Sequence, residues 1–515
     1  MQAQQTVFQL FRDGVDLGDQ YFEQKNYPDA LKLYINASRK KSFSSENHLK
    51  MARCYYSLKQ YKQSINYYSH YLSGKHTLPP ADLYNFAEAL AVTANYGKAI
   101  ESYREYLVTN PKDEVVIKKI WRLNNIQYLY EDSAQFSVKP ISFNTNLGEL
   151  CPTYFNHGIV FISNRKETQV VEKVNASLDA PFYKIYYCSA SEGSAEDISY
   201  NKVLAFDKAF MSHYNAGPVG FYDNDNKMVF VTTSVDPGAN GVRTLQLFFG
   251  ELNNGKWTIT KSFPYNSLIY SISDPSISND GTTLYFSSDM PGGFGGRDLY
   301  KSVFIDGRWS KPVNLGEGIN TAQDEVFPYL HLNNMLYFSS NGHPGLGGLD
   351  IFKARANRSN FEEPQNAGYP INSSYDDFGI VIDSMGEHGY FSSNRKRGGY
   401  DDDIYELEMD LQQFPLEISG VIKYKESDWD DSKELQIMRN VKISVIDQDR
   451  NEVVHESVSD EDGNFNIVIP YFSKFVIRVI QPGEDNHVVA LEIPKRRKEL
   501  SAYEIVIVKD IFKKE

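Results

Sequence analysis

The spacing of hydrophobic and polar residues changes twice along the chain and separates three segments. Before about residue 133, small and apolar residues recur with the period of an amphipathic helix. From there to about residue 413, the pattern is one of short alternating strands bounded by Gly, Pro, Asn and Asp. A second strand pattern begins near Pro415. We therefore predict three domains, which cover residues 1–132, 133–413 and 414–515.

A repeat of about 34 residues organises the first segment. Its three copies begin at Gly18, Ala52 and Ala87, and each places a tyrosine sixteen positions after that small residue. The pattern resembles the tetratricopeptide repeat, in which two helices pack so closely that only a small residue fits where they cross. Residues 112–130 follow as a further amphipathic helix that caps the array. The resemblance predicts an α-solenoid.

In repeats of this kind the first helix of each pair lines a concave face, which is a candidate groove for a peptide or protein. The register places these side chains on that face: Arg12, Asp19, Phe22, Arg53, Tyr56, Tyr84 and Glu88. The alternative is that they are ordinary solvated side chains, and that the repeat only docks the adjoining domain.

The second segment carries a repeat of its own. The stretch YFSSD at residue 285 recurs as YFSSN at 337 and at 390, and weaker copies begin at residues 160 and 229. After each of the three strong copies, a Gly-Gly pair precedes an aspartate and a short apolar strand, as in Gly295-Gly296-Arg297-Asp298. We expect the glycines to supply positive φ angles for a turn, and Asp298 to hold that turn through backbone hydrogen bonds.

Four strands in about 50 residues, repeated, are typical of a blade of a β-propeller. Five copies predict five blades, but the last one lacks its outer strand before the composition changes. Residues 136–142 resemble the missing strand, so we predict that they complete the last blade and close the ring. The repeat resembles the WD40-like repeat of the TolB and prolyl-peptidase families, which supports a fold and not an activity.

The third segment alternates with period 2 and contains the turn Ser459-Asp460-Glu461-Asp462-Gly463. It is similar to the carboxypeptidase regulatory-like domain, a transthyretin-type β-sandwich. The predicted fold class is therefore multidomain α + β, with an α-solenoid, then a five-bladed β-propeller, then a small transthyretin-like β-sandwich.

Charge and cysteine content narrow the function classes. The net charge of -14 opposes binding to a nucleic-acid backbone or an anionic membrane surface. No apolar run approaches the roughly 20 residues of a membrane-spanning helix. Cys54, Cys151 and Cys188 are far apart and never form C-x-x-C, so neither a zinc knuckle nor a disulfide framework is indicated.

Candidate catalytic and ligand-binding motifs are incomplete. The sequence GGFGGRD lacks the Lys-Ser/Thr of a P-loop and precedes a strand rather than a helix. The run Asp401-Asp402-Asp403 could hold Ca²⁺, but a solvated turn is favoured because only one blade has the extra carboxylates. The sequence contains neither H-E-x-x-H nor G-x-S-x-G. We expect no catalytic residue, metal site or cofactor.

The order of the three domains resembles the PorE-type envelope proteins of Bacteroidota. That resemblance implies a periplasmic, outer-membrane-associated protein that binds a PorP/SprF-type β-barrel of the type IX secretion or gliding machinery. The OmpA-like domain with which such proteins usually end has no counterpart in this sequence, so contact with peptidoglycan is expected to be indirect unless such a domain was removed. A periplasmic location also assumes that a signal peptide has been removed, because the N-terminus MQAQQTVFQL does not resemble one.

Three functional hypotheses follow. The main hypothesis is a non-catalytic periplasmic scaffold that presents the helical groove and one propeller face to envelope partners. The first alternative is a hydrolase or lyase with its site in the propeller channel, which a facing set of histidine and carboxylate side chains would favour. The second alternative is a cytosolic peptide-binding adaptor.

Overall fold

The structure is a computed structural model in which the chain divides into two compact units, residues 1–408 and 409–515. It describes residues 14–39, 43–166, 174–175, 180–191, 199–210, 214–239, 241–332, 334–357, 360–397, 401–409, 416–425, 435–448, 450–470, 474–480, 487–491 and 503–508.

Seven α-helices open the described part of the first unit, and neighbouring helices pack as pairs. They are α1 (Gly14–Glu23), α2 (Tyr27–Ser38), α3 (Ser45–Ser57), α4 (Tyr61–Ser73), α5 (Pro80–Val92), α6 (Tyr96–Thr109) and α7 (Glu114–Asn124). The side chains of Asn26, Ser44 and Asp113 accept backbone N–H groups at helix starts, which satisfies donors that have no intrahelical partner. Short 3₁₀ turns follow at Ile126–Tyr130 and Ser133–Gln135.

The tyrosine of each helical repeat is buried, and its hydroxyl donates a hydrogen bond to a carboxylate. Tyr34 donates to Asp19 at 2.6 Å, and Tyr103 donates to Glu88. Gly18 packs against Tyr34 so closely that a Cβ there would lie 2.7 Å from the ring. A buried tyrosine therefore requires both a small residue and an acceptor in the facing helix.

The fold class predicted from the sequence is wrong in its helical part. The described chain is mainly β-structure, and an independent tetratricopeptide solenoid is not evident, because the helices belong to one compact unit with the strands up to residue 408. Tyr61, Ala89 and Val92 form a small core with Tyr375 of the strand region, and the backbone N–H of Tyr369 donates to the carbonyl of Leu129 at 2.8 Å. Helical periodicity revealed the helices but not the surface against which they pack.

The strands of the first unit form five antiparallel sheets, which we call blades 1 to 5 in the order of their inner strands. Blade 1 contains Glu149–Phe155, Gly158–Ser163, Lys184–Ser191, Ser199–Tyr200 and Leu204–Ala205. Blade 2 contains Ala216–Tyr222, Lys227–Thr233, Leu245–Asn253 and Lys256–Ser262. Blade 3 contains Ile272–Ile277, Thr283–Ser288, Asp298–Ile305, Arg308–Trp309 and Val313–Asn314.

The remaining two blades follow the same plan. Blade 4 contains Glu325–Leu330, Met335–Ser340, Asp350–Asn357, Asn360–Phe361 and Gln365–Asn366. Blade 5 contains Asp377–Ile382, His388–Ser393, Asp403–Met409 and Phe136–Pro140. A separate two-stranded pair, Val174–Asn175 with Ala180–Pro181, and 3₁₀ turns at Lys208–Phe210 and Arg395–Arg397 complete this region.

The five sheets form a closed ring, because the inner strand of each blade contacts the inner strands of both neighbours. The unit therefore contains a five-bladed β-propeller. The prediction that residues near 136–142 close the ring is confirmed: Phe136–Pro140 pairs with Asp403–Met409, and the N–H of Ile141 donates to the carbonyl of Ile404 at 3.1 Å. The last blade thus leaves no free strand edge at this position.

The Gly-Gly turns keep their predicted place, but the reason for the glycines differs from the prediction. In the first such turn positive φ occurs at Gly292, with φ 95°. At Gly295 and Gly296 the constraint is space, since a Cβ would lie 2.3 Å from the carbonyl oxygen of Gln323 and 2.4 Å from Oδ1 of Asp324. These glycines let one blade approach the next.

The second unit consists of two four-stranded sheets that share one apolar core. One sheet contains Leu416–Lys425, Gln436–Ile437, Asn464–Ile469 and Tyr503–Val508. The other contains Lys442–Asp447, Glu452–Val458, Phe475–Ile480 and His487–Leu491.

Among the described residues, no helix is long and apolar enough to cross a membrane.

Candidate functional site

The inner strands of the propeller are all interrupted at the same point. Near the start of each strand the pairing register shifts, and a residue with positive φ stands beside the shift. These five residues are Cys151, Gly217, Asp274, Phe327 and Gly379. A left-handed backbone is costly for residues other than glycine and occurs often at functional sites. The five bulges therefore mark one end of the propeller axis as a candidate site.

A narrow channel of about 100 Å³ runs between the five inner strands. Its described lining is mostly backbone and apolar side chains, and Asp274 is its single carboxylate. Asp274 is buried and accepts hydrogen bonds from the hydroxyls of Ser273 and Ser287. Burial raises the pKa of the Cys151 thiol well above its usual range, and the charge of Asp274 adds to that effect. The described lining of the channel therefore lacks the facing histidine and carboxylate set that would have placed catalysis there.

A larger cavity of about 520 Å³ lies between the helices and the propeller at the bulged end of the channel. Phe327 lines both spaces, so the cavity and the channel meet at that side chain. Tyrosines from the helices and polar side chains from blades 3 to 5 line it. The lining residues are Tyr56, Ser57, Lys59, Tyr61, Tyr84, Glu88, Val92, Lys119, Arg297, Gln323, Asp324, Val326, Phe327, Asn341, Gly348, Leu349 and Asp376. A concave site with aromatic walls and a few polar groups is the usual form of a ligand site.

The side chains of two ion pairs line this cavity. Lys119 of α7 lies 2.7 Å from the carboxylate of Glu88 of α5, and both side chains are mostly buried. Lys59, which follows α3, pairs with Asp376 at the start of blade 5. The Lys59 side chain remains 47% exposed, so it reaches the cavity space while holding Asp376. The second pair joins the helical segment to the propeller at the site itself.

The carboxyl groups around Lys59 have pKa values moved in opposite directions. Burial disfavours the charged form of Asp376, but the positive charge of Lys59 outweighs it and lowers the pKa below the usual value of 3.8. Burial raises the pKa of Asp402 to about 6, Lys59 opposes this rise, and the negative charge of Asp376 adds to it. One carboxyl group is therefore ionised and the other is largely protonated below pH 6.

The residues of the predicted groove are divided between two environments. Arg12 lies outside the described residues. Asp19 pairs with Lys50 at 2.8 Å, Arg53 pairs with Asp82 at 2.7 Å, and the ring of Phe22 packs edge-on against Tyr27. Tyr56, Tyr84 and Glu88 line the cavity above the propeller. Binding of a partner peptide by this set stays a prediction.

Sequence reasoning missed Lys59, Lys119 and Asp376, and it read Asp402 only as part of a solvated turn. The carboxylate run Asp401-Asp402-Asp403 was a visible signal, but nothing in the sequence connects it with Lys59, which lies more than 300 residues earlier. No group of three or more His, Cys, Asp or Glu side chains in the described part of the chain could hold a metal ion.

No protein-family model and no curated protein matches the sequence. Similar solved structures include an alpha-L-arabinofuranosidase from Lactobacillus brevis, at 11% identity and TM-score 0.33, covering 50% of this chain and 90% of that chain. A GH43_1 enzyme from Xanthomonas citri matches at 13% identity and TM-score 0.34, covering 56% and 94%. A protein of unknown function from Dyadobacter fermentans matches at 12% identity and TM-score 0.32, covering 50% and 76%. At these TM-scores the likeness assigns no chemistry to this chain.

The main functional hypothesis, a non-catalytic scaffold that offers an open helical groove, is wrong. Three of its groove residues, Tyr56, Tyr84 and Glu88, line a cavity shared with the propeller instead of an open groove. The structure leaves untested the resemblance to PorE-type proteins, the β-barrel partner and the periplasmic location, which stay predictions.

Proposed function

We propose that this protein is a propeller-based hydrolase whose substrate lies in the cavity between the helices and the propeller. The observation that carries the proposal is the ion pair between Lys59 and Asp376 in the cavity wall, together with Asp402, whose carboxyl group interacts electrostatically with the same lysine and whose pKa is moved the other way. Environments that separate the pKa values of two neighbouring carboxyl groups assign one as acid and the other as anion.

The chemistry that this pair suits best is cleavage of a glycosidic bond. A protonated carboxyl group donates its proton to the leaving oxygen, and an ionised carboxylate stabilises the positive charge that develops on the sugar ring. In this assignment Asp402 is the acid, Asp376 is the anion, and Lys59 keeps Asp376 ionised. Among the described residues that line the cavity, no histidine accompanies Ser57, so serine-hydrolase chemistry is not supported there.

The shape and lining of the cavity suit a sugar ligand. Its tyrosine and phenylalanine rings offer flat apolar surfaces, while Arg297, Gln323 and Asn341 bring hydrogen-bonding groups to the same space. Its described charged side chains are three cations and three anions, Lys59, Lys119, Arg297, Glu88, Asp324 and Asp376, so the site has no strong overall preference for one charge.

The test is an assay of purified protein on a panel of neutral and acidic polysaccharides, with the release of reducing ends as the readout. Asp402→Asn removes the acid and is expected to lower kcat by roughly 10²-fold to 10⁴-fold. The matched control is Asp236→Asn, which changes an exposed aspartate in the loop after the second strand of blade 2. This substitution should leave kcat unchanged.

Two results would reject the hydrolase. One is the absence of reducing-end release from every polysaccharide by correctly folded wild-type protein. The other is release that Asp402→Asn leaves at the wild-type rate.

A further inference from the structure

A small side pocket adjoins the cavity where α7 faces the turn between the second and third strands of blade 4. Its lining includes Tyr103, Lys119, Arg122, Asn341 and His343. Lys119 and Asn341 also line the main cavity, so the two spaces are neighbours. The side pocket measures about 10 Å³, which is room for roughly one water-sized group.

Arg122 is the unusual member of this lining. It is 3% exposed, and its Nε and Nη1 donors have no hydrogen-bond partner. A buried guanidinium without a partner is costly, because it has lost its water without gaining an anion. Buried polar groups in natural proteins are almost always satisfied by protein atoms, by ordered water or by a bound ligand.

The neighbouring groups do not neutralise Arg122 by direct contact. Among the described carboxyl groups, the charge of Asp350 acts most strongly on Arg122, but the oxygens of Asp350 accept from the N–H groups of Leu346 and Gly347 and from the amide of Asn366. Lys119 is engaged with Glu88. The ring of His343 is held by the carbonyl of Ile319 at 2.8 Å. The pocket thus presents unused donors and a net positive charge to whatever enters it.

We propose that the side pocket around Arg122 binds the carboxylate of a ligand whose body lies in the main cavity. One carboxylate oxygen matches the available volume. That oxygen accepts a charge-assisted hydrogen bond from Nε or Nη1 of Arg122, which point to different sides of the guanidinium. Together with the proposed function, on which the sugar assignment rests, this makes a uronate-bearing glycan the substrate class.

The experiment is isothermal titration calorimetry of the full chain with acetate, glucuronate and glucose. Acetate and glucuronate should give saturable binding, and glucose, which has the same ring without the carboxylate, should bind at least tenfold more weakly than glucuronate. Arg122→Met should weaken both carboxylates at least tenfold. Arg104→Met, at an exposed position on α6, is the matched control and should bind like the wild type.

Folding of Arg122→Met is checked by its melting temperature, which should not fall, because the substitution removes an unpaired buried charge. The proposal is overturned if glucuronate binds no better than glucose, a comparison that needs only the wild type, or if carboxylate binding survives in Arg122→Met. Binding should persist in Asp402→Asn. A failure of catalysis is thereby distinguished from a failure of the carboxylate site.

Discussion

Asp298 and Asp350 occupy the same position in blades 3 and 4 and hold their turns in the same way. Asp298 accepts from the N–H groups of Phe294 at 2.6 Å and Gly295 at 3.2 Å, and from the amide of Asn314 at 2.8 Å. This confirms that Asp298 holds the glycine turn through backbone hydrogen bonds. The glycine-rich sequence around it is a structural turn and not a phosphate site.

Asp298→Asn tests that role. The new NH₂ group faces donors, so a buried N–H loses its acceptor, and we expect the free energy of unfolding to fall by about 1–3 kcal/mol. Urea denaturation measures the change. Asp306→Asn, an exposed turn position with positive φ, is the control and should stay within about 0.5 kcal/mol of the wild type. Equal losses in both variants would contradict the assigned role.

Glu325 links stability to pH. It is fully buried, and burial raises its pKa from 4.5 to about 7 even though it accepts hydrogen bonds from Thr321 and Ser340. The folded protein therefore holds this proton more tightly than the unfolded chain. The contribution of Glu325 to stability is thus complete below pH 4.5 and is lost as the pH rises towards 7.

Glu325→Gln should remove that dependence. Relative to the wild type at the same pH, the variant should gain stability between pH 4.5 and pH 7, by an amount on the order of 3 kcal/mol. Urea denaturation across this pH range is the measurement, and Glu317→Gln at an exposed position is the control. A difference between Glu325→Gln and wild type that does not vary with pH would refute the linkage.

At the level of elements, the closing strand Phe136–Pro140 decides whether the propeller is a ring. The sequence predicted its partner because residues 136–142 resemble the outer strand that blade 5 lacks. Alignment of the same repeats also identified the YFSS strands. It did not predict the bulges of the inner strands. Their residues, Cys151, Gly217, Asp274, Phe327 and Gly379, are of four different types, so no single residue type marked them.

Ile141→Ala tests the closure. Ile141 is 5% exposed and lies in the core between blades 1 and 5. Removing its side chain should lower the free energy of unfolding by about 2–5 kcal/mol. Val313→Ala, at a 64% exposed strand position in blade 3, should cost less than about 0.5 kcal/mol. Similar small losses for both variants in urea denaturation would show that the closing strand contributes little.

At the level of the whole molecule, the helical segment covers one end of the propeller and completes the site. The sequence revealed helices and blades separately, but the cavity depends on residues distant in the chain, such as Lys59 and Asp376, which meet only when the two parts pack together. For the same reason the sequence favoured an open helical groove over a cavity shared with the propeller. Sequence motifs do not reveal such a site, because a pair of carboxyl groups whose pKa values are set by their surroundings has no local signature.

The most direct test of the account is the pH dependence of kcat/KM for the substrate that the polysaccharide panel identifies. Because Asp402 must be protonated to act as the acid and its pKa is raised to about 6, kcat/KM should fall as the pH rises through about 6. The residual activity of Asp402→Asn should lack that falling limb, whereas the Asp236→Asn control should retain it. A limb near pH 6 that persists in Asp402→Asn, or its absence from the wild type, would contradict the assignment of the acid and with it the proposed active site.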